Sequence, residues 1–194
     1  MKFITCLFLV LLLVGSVACG ETADSNKAGL TLKAAWAAAE PQIKSWQADA
    51  VFVSVFNPPD SSLGIDLTGR ASQWYIEAVS LAALKRSNWL VSVEADGKAT
   101  VIKSTEDELD QTKAEGLNSR ALPALATLID TNRLFEIARQ NGGNKSDKPL
   151  GIHLAQPLKE GEPLVFDLVF YNGEQVLRLR IDAYNGELVE NVKG

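Results

Sequence analysis

Residues 165–189 read VFDLVFYNGEQVLRLRIDAYNGELV. Within them, residues 176–182 alternate between apolar and charged side chains, which is the period of a strand with one buried face. The dipeptides Asn172-Gly173 and Asn185-Gly186 flank that alternating segment. Asn-Gly favours a two-residue hairpin turn because both positions tolerate a positive φ. The stretch therefore predicts three antiparallel strands joined by tight turns.

The rest of the chain is also predicted to contain short strands and tight turns, together with two helices. Apolar residues at helical spacing predict a helix that begins at Thr31 and has a kink or a break at Pro41. A second helix is predicted after Asp130 or Thr131, ending at 141–143. Asp96-Gly97 predicts another hairpin. Further strands are predicted near residues 51–55, 73–78, 89–93, 100–102 and 152–154.

The two halves of the chain share one order of elements, a helix followed by about four strands. WLVSVEADG at 89–97 parallels LRLRIDAYNG at 177–186 with one extra turn residue. Coincidence is the alternative, because strand-turn-strand patterns are common. We predict an α+β fold of two repeated units, each a helix packed on an antiparallel sheet of about four strands. The predicted boundaries are 30–104 for the first unit, 105–128 for a charged linker and 129–194 for the second unit.

The N-terminus has the pattern of an export signal. Lys2 precedes an apolar run at 3–14, and small residues then lead to Cys19. The run is shorter than the roughly 20 residues that span a bilayer, so residues 1–18 are interpreted as a signal peptide. Ser16-Val17-Ala18-Cys19 resembles a bacterial lipobox, although Ser16 stands where leucine is usual. The alternative is an ordinary signal peptide that contains a cysteine by chance.

Cysteine usage favours lipidation of Cys19. The chain has two cysteines, and Cys6 would be removed with the signal peptide, so the mature protein could form no internal disulfide. The resemblance to bacterial lipoproteins implies more than one acyl chain, palmitate among them, and hence a firm anchor. Residues 19–29 are polar and small, which predicts a flexible tether. The predicted location is the extracytoplasmic side of a bacterial membrane, and Gly20 leaves an outer-membrane site open.

Charge and motifs exclude several functional classes. The formal net charge is −5, which disfavours nucleic acid as a partner. His153 is the single histidine, and no Gly-x-Ser-x-Gly, Walker or Rossmann pattern accompanies it. The acidic segment 106–110 lacks the spacing of a calcium loop. We predict no catalytic residues, no cofactor and no metal; the alternative is a hydrolase whose carboxylates gather between the two units.

The last long strand offers a candidate partner-binding face. Arg178, Arg180 and Asp182 recur with period two and would form a charged ladder for a partner that carries carboxylates. Simple solvation of an exposed face is the alternative.

The closing hairpin adds a family resemblance. Residues 181–188, IDAYNGEL, resemble the end of a PepSY-like domain, and Trp74 and Trp89 occupy positions where that family commonly has tryptophan. The second unit has Leu164-Val165 instead. The resemblance implies tandem PepSY-like domains and a non-catalytic binding or peptidase-modulating module, with an envelope protein or a peptidase as its partner.

Overall fold

The computed structural model describes residues 29–57, 64–94, 96–143, 148–159, 161–171, 173 and 175–194. The predicted signal peptide, Cys19 and all of the tether but Gly29 lie outside these residues. In chain order the elements are α1 (Leu32–Trp46), β1 (Val51–Asn57), β2 (Gln73–Ser80), β3 (Lys85–Val93), β4 (Ala99–Glu108), α2 (Gln111–Asn118), a short 3-10 helix (Leu125–Thr127), α3 (Thr131–Gln140), β5 (Lys148–Ala155), β6 (Val165–Tyr171), β7 (Val176–Asp182) and β8 (Leu188–Lys193).

The strands form one antiparallel sheet, so the prediction of two repeated helix-on-sheet units is wrong. The strand order is β4-β3-β2-β1-β5-β6-β7-β8. The joining pair is β1 and β5, in which Val55 lies opposite Leu154 and Phe56 opposite His153. β1 thus has a hydrogen-bonded neighbour on each side, and no sheet edge separates the halves of the chain. The fold is mostly sheet with three short α-helices in the part of the chain described.

One continuous core lies between this sheet and the helices α1 and α3. Trp36 of α1 stacks on Phe52 of β1 with ring centroids 4.4 Å apart, and Phe135 of α3 meets Phe170 of β6 edge-on at 5.8 Å. Buried side chains from both halves of the sheet belong to the same cluster. Because each half covers part of the same apolar layer, neither half has a complete core of its own.

Helix α2 packs on the sheet face opposite α1 and α3. In the sequence it lies within residues 105–128, which were expected to be a linker. Its Ala114 is fully buried, and the helix contacts β1 and β2, where Val53 and Val79 are buried outside the main core cluster. β4 also extends to Glu108, beyond its expected end. The sequence pattern gave no sign of α2 because one small buried residue makes no apolar stripe.

Helix α1 continues through Pro41, so of the kink or break predicted there the break is absent. The apolar side of the helix is buried on both sides of Pro41, and that packing offsets the lost backbone hydrogen bond. The predicted cap is confirmed, because the Thr31 side chain accepts a hydrogen bond from the backbone N–H of Ala34. No helix among the described residues is long and apolar enough to cross a membrane.

Both long helices begin at a shared buried junction around Thr131. The Thr131 hydroxyl donates to the carbonyl of Gly69 at 2.6 Å and accepts the backbone N–H of Leu32 at 3.1 Å. Asp130 caps α3 and also accepts the backbone N–H of Lys33. Gly69 has φ +81°, and a Cβ there would lie 2.4 Å from the carbonyl oxygen of Thr131. The junction therefore fixes the start of both helices against the loop before β2.

We expect Thr131→Val to lower the free energy of unfolding by about 1–3 kcal/mol, because it leaves the Leu32 N–H and the Gly69 carbonyl buried without partners. Thr131→Ser is the matched control, since it keeps the hydroxyl and loses one methyl group. Chemical denaturation measures both. Equal losses for the two variants would contradict the hydrogen-bonding role of the hydroxyl.

Candidate functional site

The sheet face opposite α1 and α3, called here the open face, carries a row of directly paired side chains across all eight strands. Each residue of the row lies directly opposite the next one on the neighbouring strand, in the sheet order from β4 to β8. Its members are Ile102, Leu90, Tyr75, Phe56, His153, Asp167, Arg180 and Glu190. The β4–β1 half of the row is apolar and aromatic, and the β5–β8 half is polar and charged. The face thus presents two chemically different surfaces that meet at the β1–β5 pair.

An aromatic pair lies at the centre of the open face. Phe56 and Tyr75 stack with ring centroids 5.2 Å apart and an interplanar angle of 11°, and both side chains are half-buried. Leu90 continues the apolar surface, and Ile102 is 52% exposed at its end. Stacking on the pleated surface holds the rings in place before any partner arrives. The open face therefore keeps a preformed apolar surface in contact with water.

His153 meets the edge of Phe56, with ring centroids 6.2 Å apart at 77°. Its outer edge is exposed, but its neighbours partly desolvate the ring, and this desolvation lowers the pKa of His153. Asp167 and Glu77 oppose the shift, while the positive charge of Arg120 adds to it. A lowered pKa keeps the imidazole neutral at neutral pH, with one ring nitrogen as a donor and the other as an acceptor.

Asp167 and Arg178 form a two-point ion pair beside His153. Arg178 Nε donates to Asp167 Oδ1 at 2.8 Å, and Nη2 donates to Oδ2. Hydrogen bonding to Asp167 raises the pKa of Arg178. Together with Phe56, His153 and Val169, the pair lines a shallow cavity of about 450 Å³. The cavity combines an aromatic wall, a neutral imidazole and a fixed guanidinium within one small area.

The predicted charged ladder lies on the open face, but its charges already have intramolecular partners. Arg178 pairs with Asp167, and Arg180 donates to Glu190 at 3.2 Å. Asp182 accepts the backbone N–H groups of the next turn and so holds the β7–β8 hairpin. A partner's carboxylate would therefore have to compete with bonds that exist already. Binding by these three residues stays a prediction.

Sequence reasoning did not select Phe56, Tyr75 or Asp167. The position of Tyr75 could have been predicted from the sequence. It alternates with the apolar Trp74 and Ile76, so its side chain is expected on the opposite side of β2. Phe56 reaches the open face through an irregularity in β1 between Phe52 and Ser54, which changes which residues share a face. The meeting of Phe56 with His153 depends on the long-range β1–β5 pairing, which local alternation does not specify.

The geometry of the described residues offers no support for carboxylate-dependent hydrolysis. The expected sign was a pair of close acids, one with a raised pKa. The resolved pKa shifts of carboxylates run in the opposite direction. Hydrogen bonds from Lys103 and Lys85 lower the pKa of Glu106 to about 2. Backbone N–H donors are the main cause of the lowered pKa values of Asp49 and Asp110. Within the described ranges, no three His, Cys, Asp or Glu side chains gather as metal ligands.

The fold and this face define a mainly β protein with a mixed aromatic and polar surface on an open sheet. Its fold is similar to that of a putative lipoprotein from Clostridium difficile 630, known from a crystal structure. The TM-score is 0.62 at 14% sequence identity, and the match covers 87% of this chain and 99% of that chain. At this identity the likeness concerns the fold. No protein-family model matches the chain, and no curated protein matches it in sequence.

Proposed function

We propose that this protein is a lipid-anchored, extracytoplasmic binding protein. Cys19 carries the anchor, and the open face holds a protein partner without chemical change to it. The observation that carries the binding role is the preformed Phe56–Tyr75 stack beside His153 and the Asp167–Arg178 pair. The anchor and the binding face are separate parts of the proposal, and each has its own test.

The anchor is supported by sequence and by fold. The charged start, the short apolar run and the small residues before Cys19 have the order of an exported lipoprotein. The structural neighbour carries the description of a putative lipoprotein, and the likeness covers 87% of this chain and 99% of that chain. The proposed place of the anchor is the extracytoplasmic surface of a bacterial membrane, with the outer membrane as the site where two membranes exist.

Binding through the open face is supported by its composition. Aromatic and arginine side chains are enriched in the central residues of protein interfaces, where they supply most of the binding energy. Here both types are present at one place, and each is held in position by a neighbour. A side chain that is already fixed loses less entropy when a partner binds. The open face therefore combines suitable chemistry with preorganisation.

The proposal also holds that the open face binds its partner without catalysis. Nucleophilic catalysis by a hydroxyl needs a histidine that is hydrogen-bonded to it and oriented by a carboxylate. Among the described residues, His153 contacts Phe56 and has no hydrogen bond to a hydroxyl or a carboxylate. A neutral imidazole without these partners is suited to recognition.

The partner class follows from the location. A protein tethered outside the cytoplasm meets other envelope proteins, and an envelope protein is the proposed partner. The narrower form of this proposal is that the partner is a peptidase. It is supported by residues 181–188, whose sequence resembles the end of a PepSY-like domain, and that resemblance implies a peptidase-modulating module. The negative net charge of −5 supports a protein partner over nucleic acid.

Photocrosslinking in living cells tests the binding face. A photoreactive benzoyl-phenylalanine replaces Tyr75 on the open face, and the control places it at Ala37, an exposed position on α1 in the opposite layer. We expect a discrete adduct from position 75, absent at position 37, whose mass spectrum identifies the partner. Adducts of the same pattern at both positions, or none at position 75, would reject the open face as the binding surface.

Removal of the ring gives a quantitative prediction. With the crosslinked partner purified, Tyr75→Ala should weaken binding by about 2 kcal/mol, or roughly 30-fold in Kd, as expected for a central aromatic residue. Tyr184→Ala is the matched control, because Tyr184 is 48% exposed in the β7–β8 turn, away from the stack. Calorimetric titration measures both variants. Equal affinities for Tyr75→Ala and the native chain would contradict the proposed role of the stack.

A further inference from the structure

A second cavity, of about 590 Å³, lies between α2 and the β3–β4 end of the open face. It is separate from the cavity beside His153. Its lining includes Arg86, Asp107, Leu109, Lys113, Leu117 and Arg120. Both apolar side chains and several charged ones therefore meet in one concave space.

Arg120 is the unusual member of this lining. Its side chain is half-buried, and its Nε is buried with no hydrogen-bond partner in the described part of the chain. The ion pairs of the described residues do not include Arg120. An arginine keeps its charge at every accessible pH, and a buried N–H without an acceptor is unfavourable. A ligand that accepts hydrogen bonds would remove that penalty.

Arg86 adds a second buried donor to the same cavity. Its Nη2 donates to Asp107 at 2.7 Å, and its Nη1 lies 3.6 Å from Glu77. Its Nε, like that of Arg120, is buried and lacks a partner among the described residues. Two buried guanidinium N–H groups thus lack a partner within the described residues, and both belong to residues that line one cavity.

The lining carries more positive than negative charge. Asp107 already pairs with Arg86, and Lys113 pairs with Asp110 at 3.0 Å. Glu108 also lines the cavity, but it lies opposite Lys85 in the β3–β4 register and acts on the charge of that lysine. Three cationic side chains of the lining, Arg86, Lys113 and Arg120, thus face two anionic ones, and Arg120 is the cation that forms no ion pair among the described residues.

We propose that this cavity binds a small organic acid, with its single carboxylate on Arg120 and its alkyl part against Leu109 and Leu117. A guanidinium matches a carboxylate with two parallel hydrogen bonds. Asp107 and Glu108 at the same cavity repel a second negative charge, so a monoanion fits better than a phosphate dianion. The apolar side chains favour a ligand with a hydrocarbon part. This site does not depend on the proposed partner of the open face.

Titration of the full-length protein in detergent tests this site. The methyl resonances of Leu109 and Leu117, which line the cavity in the native chain and in every variant, are followed by NMR while sodium butyrate is added, and inorganic phosphate and butylamine are added in parallel samples. We expect a saturable shift with butyrate, a weaker effect of phosphate and none from butylamine. Arg120→Gln should abolish the saturable response, whereas Arg133→Gln, at an exposed arginine paired with Glu136 on α3, should leave it intact.

Arg120→Lys keeps the charge and so provides a variant with a smaller risk of misfolding. Butyrate should bind it about tenfold more weakly, because an ammonium group cannot form the two-point contact. A butyrate response that does not saturate, an unchanged affinity in Arg120→Lys, or phosphate binding as tight as butyrate binding would overturn the proposal.

Discussion

Replacing Cys19 by serine should move the protein from the membrane fraction to the aqueous fraction almost completely. The reason is that serine has no thiol to acylate, and each acyl methylene that enters the bilayer contributes about 0.8 kcal/mol. Two or three long chains would therefore hold the protein firmly, whereas the net negative charge of the body gives it no overall attraction to an anionic membrane surface. Ultracentrifugation of lysed cells followed by immunoblotting measures the distribution.

Cys6→Ser is the matched control for this experiment. Cys6 lies within the predicted signal peptide and would be removed with it, so this variant should stay in the membrane fraction. A Cys19→Ser protein that is fully processed and still pellets with the membranes would contradict the lipid anchor. If the Cys6→Ser variant left the membrane fraction, membrane attachment would depend on Cys6, and this result would also contradict an anchor on Cys19 alone.

Replacing Phe166 by alanine should destabilise the whole fold by about 3–5 kcal/mol. Phe166 is fully buried on β6, in the middle of the shared core. The cost combines the lost burial of the ring with the cavity that it leaves, and it is a large share of the 5–15 kcal/mol that stabilises a typical domain. Phe56→Ala on the open face is the matched control, and it should cost much less because Phe56 is only half-buried.

The tryptophans make this experiment a test of the single sheet. The chain has four of them, at positions 36, 46, 74 and 89, all within α1, β2 and β3. Phe166 lies on the other side of the β1–β5 junction. With one shared core, Phe166→Ala must shift the unfolding curve seen by tryptophan fluorescence as far as the curve seen by far-ultraviolet circular dichroism. A fluorescence curve that does not move would indicate two independent units.

Local patterns in the sequence predicted the elements better than their arrangement. The strands near 51–55, 73–78 and 165–171 are confirmed, and in β2 the alternation correctly marks the buried side, on which Trp74, Ile76 and Ala78 lie. The glycine turns at 97 and 186 are confirmed with φ near +80°. The arrangement was wrong because the β1–β5 contact joins residues about 100 positions apart, and nothing in either strand alone specifies its neighbour.

The candidate site shows the same limit. The alternation around Arg178 correctly predicted an exposed row on β7, but the bidentate bond to Asp167 depends on the register of β6 against β7. Helix α2 and the cavity beside Arg120 were not predicted, because a short polar helix with one buried alanine has no apolar period. Sites formed by residues from distant strands need the topology before their chemistry can be recognised.

We propose that a thiol-linked lipid on Cys19 anchors this protein outside the cytoplasm. Mass spectrometry of the N-terminal tryptic peptide from purified membranes tests it most directly. The account predicts a peptide that begins at Cys19, ends at Lys27 and carries the added mass of its acyl chains. A peptide that begins elsewhere, or one that begins at Cys19 with an unmodified thiol, would contradict it.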